Sequence, residues 1–514
     1  MTSPFAGLRR SGRSPMERRM ARTQDVTSVM GALRDPRRLR TEVLAGLVVA
    51  LALIPEAISF SIIAGVDPRV GLFASFTMAV SIAFLGGRPA MISAATGAIA
   101  LVIAPVMREY GLDYLIATVI LGGLIQVVLG LVGVARLMRF IPRSVMVGFV
   151  NALAILIFLA QLPYLTDVSW HVYAMVAAGI ALIVLMPRVT RAVPGPLVAI
   201  VLLTGVTLVF GLAVPNVGDQ GELPDSLPTL LLPDVPLTLE TLQIIGPFAV
   251  ALALVGLMES LMTAKLVDDV TDTHSNKTRE AWGQGAANII TGFFGGMGGC
   301  AMIGQTMINV KVSGARTRIS TFLAGVFLLI LVVGLGDVVG TIPMAALVAV
   351  MVMVSVGTFD WHSVKPSTLR RMPKSETTVM LATVAVTVAT ENLAYGVIAG
   401  VLVAAIMFVN RVAHVTEVVE VAHPDEDTRV YAVVGELLWA SSNDLVYQFD
   451  YTGDPKNVVI DLSQSHIWDA STVATLDAIT TKYAAKGKTV TITGLNEASA
   501  ERHARLAGHL AGEA

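Results

Sequence analysis

The sequence predicts a polytopic α-helical membrane protein. Fourteen transmembrane segments form a 7+7 inverted repeat, and a small cytosolic α/β domain follows. Three observations carry this reading. First, hydrophobic residues make up 54 % of the 514 and charged residues only 14 %, against about a quarter charged in a soluble domain, and mean hydropathy is +0.71. So much apolar surface cannot all be hidden in a water-soluble fold. Second, residues 41–413 are an almost unbroken series of apolar spans, whereas 428–514 return to ordinary soluble composition. Third, each half of the apolar region carries one acid deep in a span and one short segment that begins with small residues. Intrinsic disorder, a fibrous protein and a disulfide scaffold are excluded. The single cysteine, Cys300, has no partner for an intramolecular bridge and reads as an inert core thiol.

The first 40 residues hold ten arginines: Arg9, Arg10, Arg13, Arg18, Arg19, Arg22, Arg34, Arg37, Arg38 and Arg40. Residues 1–40 read as a cytosolic, partly disordered tail kept inside by its positive charge. A nucleic-acid arm and a transit peptide are the other readings of such a cluster. The first apolar span begins near residue 43 and is too long for a signal-peptide core.

A span of about 20 apolar residues can cross the bilayer. Candidate spans lie at 43–65, 70–86, 96–107, 114–135, 144–163, 170–187, 195–214, 242–266, 284–298, 302–312, 317–336, 341–357, 376–390 and 393–410. Those at 96–107 and 302–312 are too short to cross alone. With the N-terminus inside, the cytoplasmic loops and their edges hold Arg88, Arg136, Arg139, Arg143, Arg188, Arg191, Lys277, Arg279, Lys311, Arg316, Arg318, Lys365, Arg370, Arg371 and Lys374. The outside loops hold only Arg69 and Arg108, and the outside loop 215–241 has five acids and no Lys or Arg. This asymmetry predicts a multi-pass protein of the inner (plasma) membrane with both termini cytoplasmic.

Seven spans per half force the second half to run upside down relative to the first. Glu56 lies within the first span, and Glu259 within the first span of the second half. The short third segments are Met91 to Ala98 and Gly298 to Thr306. Paired short segments in corresponding positions point to a transporter site. A helix that starts in mid-membrane leaves about four backbone N–H groups unpaired and carries a partial positive charge. Two such starts facing each other attract an anion without a cationic side chain. Gly97, Ala98, Ala301 and Gly304 let a ligand approach the backbone. The competing reading is tight helix packing through small residues.

A bare carboxylate in mid-span costs several kcal/mol, so Glu56 and Glu259 should be paired, hydrated or protonated. Either acid can couple transport to an ion, or brace a broken helix. Thr263 lies one turn beyond Glu259, so the two offer oxygens to a proton or a small hard cation. Gln126, Asn151 and Gln161 read as hydrogen-bonding polar residues between helices. None of the eight histidines pairs with Cys or carboxylates at metal-ligand spacing. No phosphate-cradling Gly-rich motif stands at a strand–helix junction. No metal, cofactor or enzymatic constellation is therefore expected.

The run Leu53-Ile54-Pro55-Glu56-Ala57-Ile58-Ser59-Phe60-Ser61-Ile62-Ile63-Ala64-Gly65-Val66-Asp67-Pro68 resembles the first-helix signature of the SulP (sulfate permease) anion-transporter family. The stretches Phe140-Ile141-Pro142 to Gly148-Phe149 and Gln284 to Asn309 are similar to it too. So is the order of a fourteen-span domain before a short STAS-like domain, and the resemblance covers about residues 41–510. It implies a core domain and a gate domain, with alternating access by movement of one against the other, and often a homodimer in membrane lipid. It places the substrate between the starts of the third and tenth helices, at Ala94, Ala95, Thr96, Gly97 and Ala98 and at Met302, Ile303, Gly304, Gln305 and Thr306. Ile58 and Phe60 of the first helix flank it, with Glu259 and Thr263 of the eighth. Several anion-exchanging members have arginine where this chain has Gln305. The departure favours a co-transported proton or sodium ion as the balancing charge. Sulfate, bicarbonate and a C4-dicarboxylate such as fumarate are the candidate anions. The other functional classes are a nucleobase–cation symporter of the same fold, an anion channel, or a membrane sensor signalling through its cytosolic domain.

Residues 428–514 alternate strand and helix signals. Strands are expected at 430–435, 458–462 and 489–494, and helices at 471–485 and 497–510, with another starting near Ser442. Asp461-Leu462-Ser463 and Trp468-Asp469-Ala470-Ser471-Thr472 resemble the STAS signature. Ser471 matches the serine phosphorylated in anti-sigma-factor antagonists. Thr472 stands where that motif usually has glycine, so Ser471 reads as a helix N-terminal residue.

Overall fold

The computed structural model describes residues 27–134, 136, 141–189, 194–413 and 416–509. Arg9 to Arg22, Arg139, Phe140, Arg191 and Leu510 lie outside the described residues. The chain divides into two compact units, Met1–Val401 and Leu402–Ala514.

The first helix, α1, is Pro36–Ala64. It starts where Asp35 accepts from the Arg37 N–H and Pro36 occupies the first turn, and it ends at Gly65 in the left-handed region (φ 77°). A short helix, Val29–Arg34, precedes it. The end of the arginine-rich segment is thus helical rather than an irregular tail, because Ser28 and Asp35 cap these turns. The helix runs on through Pro55.

Next come α2 (Pro68–Leu85), the two-residue strand β1 (Ser93–Ala94), α3 (Gly97–Tyr110) and α4 (Leu112–Val132). Then follow α5 (Arg143–Leu159), α6 (Trp170–Val189) and α7 (Gly195–Phe210). The second half repeats the order. It has α8 (Leu239–Thr271), α9 (Lys277–Phe293), β2 (Cys300–Ala301), α10 (Ile303–Met307, continued by a π turn over Ile308–Val312) and α11 (Arg318–Gly334). It ends with α12 (Met344–Thr358), α13 (Lys374–Thr390) and α14 (Leu393–Ala413). By length and composition, seven apolar helices among the described residues can each cross a membrane.

The packing of the two halves is reciprocal. α4 of the first half packs on α8 and α9, and α11 of the second packs on α1 and α2. Likewise α5 packs on α13 and α6 on α12. Such exchange is what an inverted repeat produces. Close approach comes from missing side chains: a Cβ on Gly123 would lie 2.7 Å from the Gly285 carbonyl, and one on Gly285 2.5 Å from the Gly123 carbonyl. Outward faces stay apolar and bare, as at Leu131, Val132, Val209 and Phe210. Monomeric soluble proteins rarely expose contiguous apolar surface of this kind.

In the second unit a four-stranded sheet has the order β3 (Glu417–Asp425), β4 (Thr428–Leu437), β5 (Asn457–Ile467) and β6 (Thr489–Thr493). β3 and β4 are antiparallel; β4, β5 and β6 are parallel. Helices α15 (Ala470–Ala484) and α16 (Glu497–Leu506) follow β5 and β6. The sheet begins ahead of residue 428 with a strand that sequence reading does not place, because Glu417, Val419 and Val421 leave one side of it exposed and its alternation weak. Inside, Asp454 accepts from Tyr431 Oη at 2.8 Å, Tyr483 Oη at 2.5 Å and Arg429 at 3.0 Å. Asp469 caps α15 by accepting from the Thr472 N–H at 3.0 Å. Ser471 is the second residue of that helix and is exposed.

Candidate functional site

The two short segments meet inside the first unit. β1 and β2 pair antiparallel, Ser93 opposite Ala301 and Ala94 opposite Cys300. Each strand then turns into a helix. Thr96 caps α3, its Oγ1 accepting from the Ile99 N–H at 3.4 Å. Met302 precedes α10, and its N–H donates to Ile92 at 2.9 Å. The pairing needs glycine: a Cβ on Gly299 would lie 2.1 Å from the Ala94 carbonyl oxygen.

Buried polar side chains hold both strand-to-helix turns in place. Asn288 of α9 accepts from the Gly299 N–H at 2.8 Å and donates to the Gly299 carbonyl at 3.0 Å. It also donates to Gln126 of α4 at 2.8 Å. Gln284 donates to Ser93 Oγ at 2.7 Å and to Glu280 at 2.8 Å, and Glu280 in turn accepts from the Gly87 and Arg88 N–H groups. Ser260 of α8 accepts from the Ala301 N–H at 3.1 Å. In the membrane such unpaired backbone groups would otherwise go unsatisfied.

A cavity of about 360 Å³ opens at these helix starts. Glu56 and Phe60 of α1, Thr96 and Gly97, Glu259 of α8, and Met302, Ile303 and Gly304 line one side. Phe149, Val150, Leu153 and Ile157 of α5 line the other, with Val354, Gly357 and Thr358 of α12. None of these last seven was expected as a site residue from the sequence, although Phe149 closes one of the stretches that resemble the family. Their apolar spacing reads only as a helix face, and nothing local marks it as facing a cavity.

The expected site residues divide into three groups. Eight line the cavity: Glu56, Phe60, Thr96, Gly97, Glu259, Met302, Ile303 and Gly304. Two support it from behind. Gln305 does not line the cavity; its Nε2 donates to Glu56 at 2.6 Å, and its Oε1 is buried without a partner. Thr306 Oγ1 accepts from the Ile92 N–H at 3.0 Å, tying α10 to the β1 segment. The remaining five are packed away from the space. Ile58, Ala94, Ala95 and Ala98 are at most 1 % exposed. Thr263 spends its hydroxyl on the Glu259 carbonyl, 2.7 Å away. A Thr side chain in a helix turns to the i−4 carbonyl rather than along the face, so the two side-chain oxygens do not converge as their spacing suggests.

Cys300 departs from the sequence reading. It is fully buried, but its thiol donates to Glu259 Oε2 at 2.9 Å and lies 3.1 Å from Thr96 Oγ1. Spacing along the chain cannot show a contact between residues 41 positions apart. Among the other polar residues, Gln126 bridges helices as expected and Asn151 binds the 360–363 turn. Gln161 instead donates to Ile157 of its own segment.

The sulfate permease family model matches residues 39–176 and 166–383, and a STAS domain model matches 419–511. The chain is 54 % identical over 462 residues to "Putative sulfate transporter YbaR" of Bacillus subtilis, covering 90 % of this chain and 95 % of that protein. Its fold is similar to the transmembrane domain of a cyanobacterial bicarbonate transporter, BicA, with 26 % identity and a TM-score of 0.63 over 71 % of this chain and 98 % of that one. SLC26A9 shares the fold at 15 % identity, with a TM-score of 0.77 over 94 % of this chain and 89 % of that one. With two half-helix starts facing one cavity in a multi-pass fold, and with these matches across both units, the chain belongs to the sulfate permease family of membrane transporters and carries a C-terminal STAS domain.

Proposed function

We propose that the protein is a proton-coupled symporter of a small anion, held between the starts of α3 and α10. The observation that carries this reading is the make-up of the cavity. It combines two helix starts, two carboxyl side chains and no cationic side chain among its described lining residues. Helix starts favour an anion by roughly half a charge each. Two ionised carboxylates would repel it. Protonation of one lessens that repulsion and gives the anion its balancing charge. Gln305, where a fixed arginine would stand, is turned to Glu56 and leaves the balance to a mobile ion. Sodium is the second reading: the Thr263 hydroxyl donates to the Glu259 carbonyl and keeps its lone pairs.

The cavity has one wall from α1, α3, α8 and α10 and another from α5 and α12. Movement of the first group, the core, against the second, the gate, exposes the anion to alternate sides. Charge asymmetry of the loops supports fourteen crossings with both termini cytoplasmic. The names of the relatives favour sulfate or bicarbonate. A dicarboxylate such as fumarate fits the same two helix starts. The STAS domain serves regulation or assembly rather than transport itself.

The test is uptake of labelled sulfate, bicarbonate and fumarate into proteoliposomes under an inward proton or sodium gradient. One anion accumulates under the proton gradient, and Glu259→Gln abolishes the accumulation. No uptake of any of the three by folded protein would overturn the symporter reading.

A further inference from the structure

Cys300 joins the two ends of the site by one chain of hydrogen bonds. Glu259 and Thr96 both line the cavity, on α8 and at the start of α3, and Cys300 sits between them without reaching the cavity itself. Its Sγ is 2.9 Å from Glu259 Oε2 and 3.1 Å from Thr96 Oγ1. Thr96 Oγ1 also accepts from the Ile99 N–H. A thiol has one proton. While that proton is donated to Glu259, the contact with Thr96 requires the threonine hydroxyl to donate to sulfur. The Thr96 proton then points away from the cavity.

From this geometry we infer that Cys300 is a positioning residue that relays the protonation of Glu259 to Thr96 and so adds a donor for the anion. The proposal rests on the proton-coupled reading above. When Glu259 takes a proton, its own O–H donates to sulfur. The thiol proton swings to Thr96 Oγ1, which still accepts from Ile99. The threonine hydroxyl proton is displaced into the cavity, at the start of α3. Each of Glu259, Cys300 and Thr96 holds one proton afterwards; the only proton gained is the one on Glu259. The anion therefore meets an added O–H donor only when the coupling proton is bound. Proton and anion then strengthen each other's binding by the same factor.

The titratable groups nearest Glu259 are Glu56, which lines the same cavity, and Cys300 itself. Other charged groups on elements packed against α8 gather toward its ends. Arg88 and Lys277 pair with Asp268, Glu280 binds the Gly87–Arg88 backbone, and Lys311 follows Val310, which packs near Val267. At the other end Asp113 accepts from the Asp234 N–H, and Arg108 lines a separate cavity with Glu391. None of these forms an ion pair with Glu259.

The test uses the full chain. In proteoliposomes the KM of the transported anion, read with labelled sulfate, bicarbonate and fumarate, falls about fivefold or more as pH is lowered, the lower end of ordinary coupling. Cys300→Ala flattens that dependence. Cys300→Ser, which retains one donor and acceptor, preserves it. As the chain has one cysteine, its S–H infrared stretch reports the relay without transport. Acidification moves the band to higher frequency as the acceptor changes from carboxylate to hydroxyl, and Glu259→Gln removes the shift. A wild-type KM profile retained in Cys300→Ala, or a band that does not move, overturns the relay while leaving proton coupling at Glu259 intact. Uptake of none of the three anions overturns both.

Discussion

At Gly97 a single methyl group would alter the site. A Cβ there lies 2.9 Å from Phe60 Cε1 and 3.1 Å from Ile157 Cδ1, so the two walls of the cavity meet over this glycine. Gly97→Ala is expected to raise the anion KM about tenfold, equivalent to roughly 1.4 kcal/mol, in the uptake assay. Gly304, also in the lining, has open space where its Cβ would be. Gly304→Ala should leave the melting temperature of the purified protein unchanged. Asp454 makes a different kind of prediction. Its carboxylate is enclosed by Tyr431, Tyr483 and Arg429. Removing one donor from a buried acceptor costs about 1–3 kcal/mol. Tyr483→Phe should therefore speed hydrogen exchange across α15 and β6; unchanged protection there would show that the hydroxyl contributes nothing. Residue types and spacing were enough to single out Glu56 and Glu259. They were not enough for Cys300, whose partners are set by the antiparallel pairing of β1 with β2.

Among the elements, α4 and α9 bear most directly on the site. They touch along Gly123 and Gly130 on one side and Gly285 and Gly292 on the other. α9 then supplies Gln284 and Asn288 to β1 and β2. Overpacking such a seam costs about 1–3 kcal/mol or more. Gly285→Val should lower the melting temperature and also weaken anion binding, since it pushes away the helix that holds both broken segments. A loss of stability with unchanged affinity would separate the seam from the site. The helix pattern was legible because a span must be apolar along its length; the start of α1 at Pro36, ahead of the span expected at 43–65, was not, since its first turns are charged. The strand β3 was not, since its exposed valines blur the alternation that marks a half-buried strand.

For the whole molecule, the two units answer pH differently. In the STAS domain burial pushes the Tyr451 hydroxyl up to about 12, and burial with the neighbouring Asp454 raises Tyr483. A tyrosine whose folded value lies above the unfolded value of about 10 stabilises the fold below that pH. That contribution is lost as pH rises from about 10 toward 12. The domain should unfold in this window, with tyrosinate absorbance appearing together with the loss of protection in β6. Ending the chain at residue 415 should leave proton-driven uptake in place, since every cavity-lining residue belongs to the first unit. The sequence by itself determined that this is a membrane protein with paired short segments and an α/β tail. Hydropathy, charge asymmetry and small-residue runs are properties of composition and spacing, and they survive without a fold. Only the tertiary structure decided which side chains share the cavity. It turned Gln305 to Glu56, brought Cys300 between Glu259 and Thr96, and added the apolar wall of α5 and α12. Those relations join residues far apart in the chain, and packing rather than local pattern determines them.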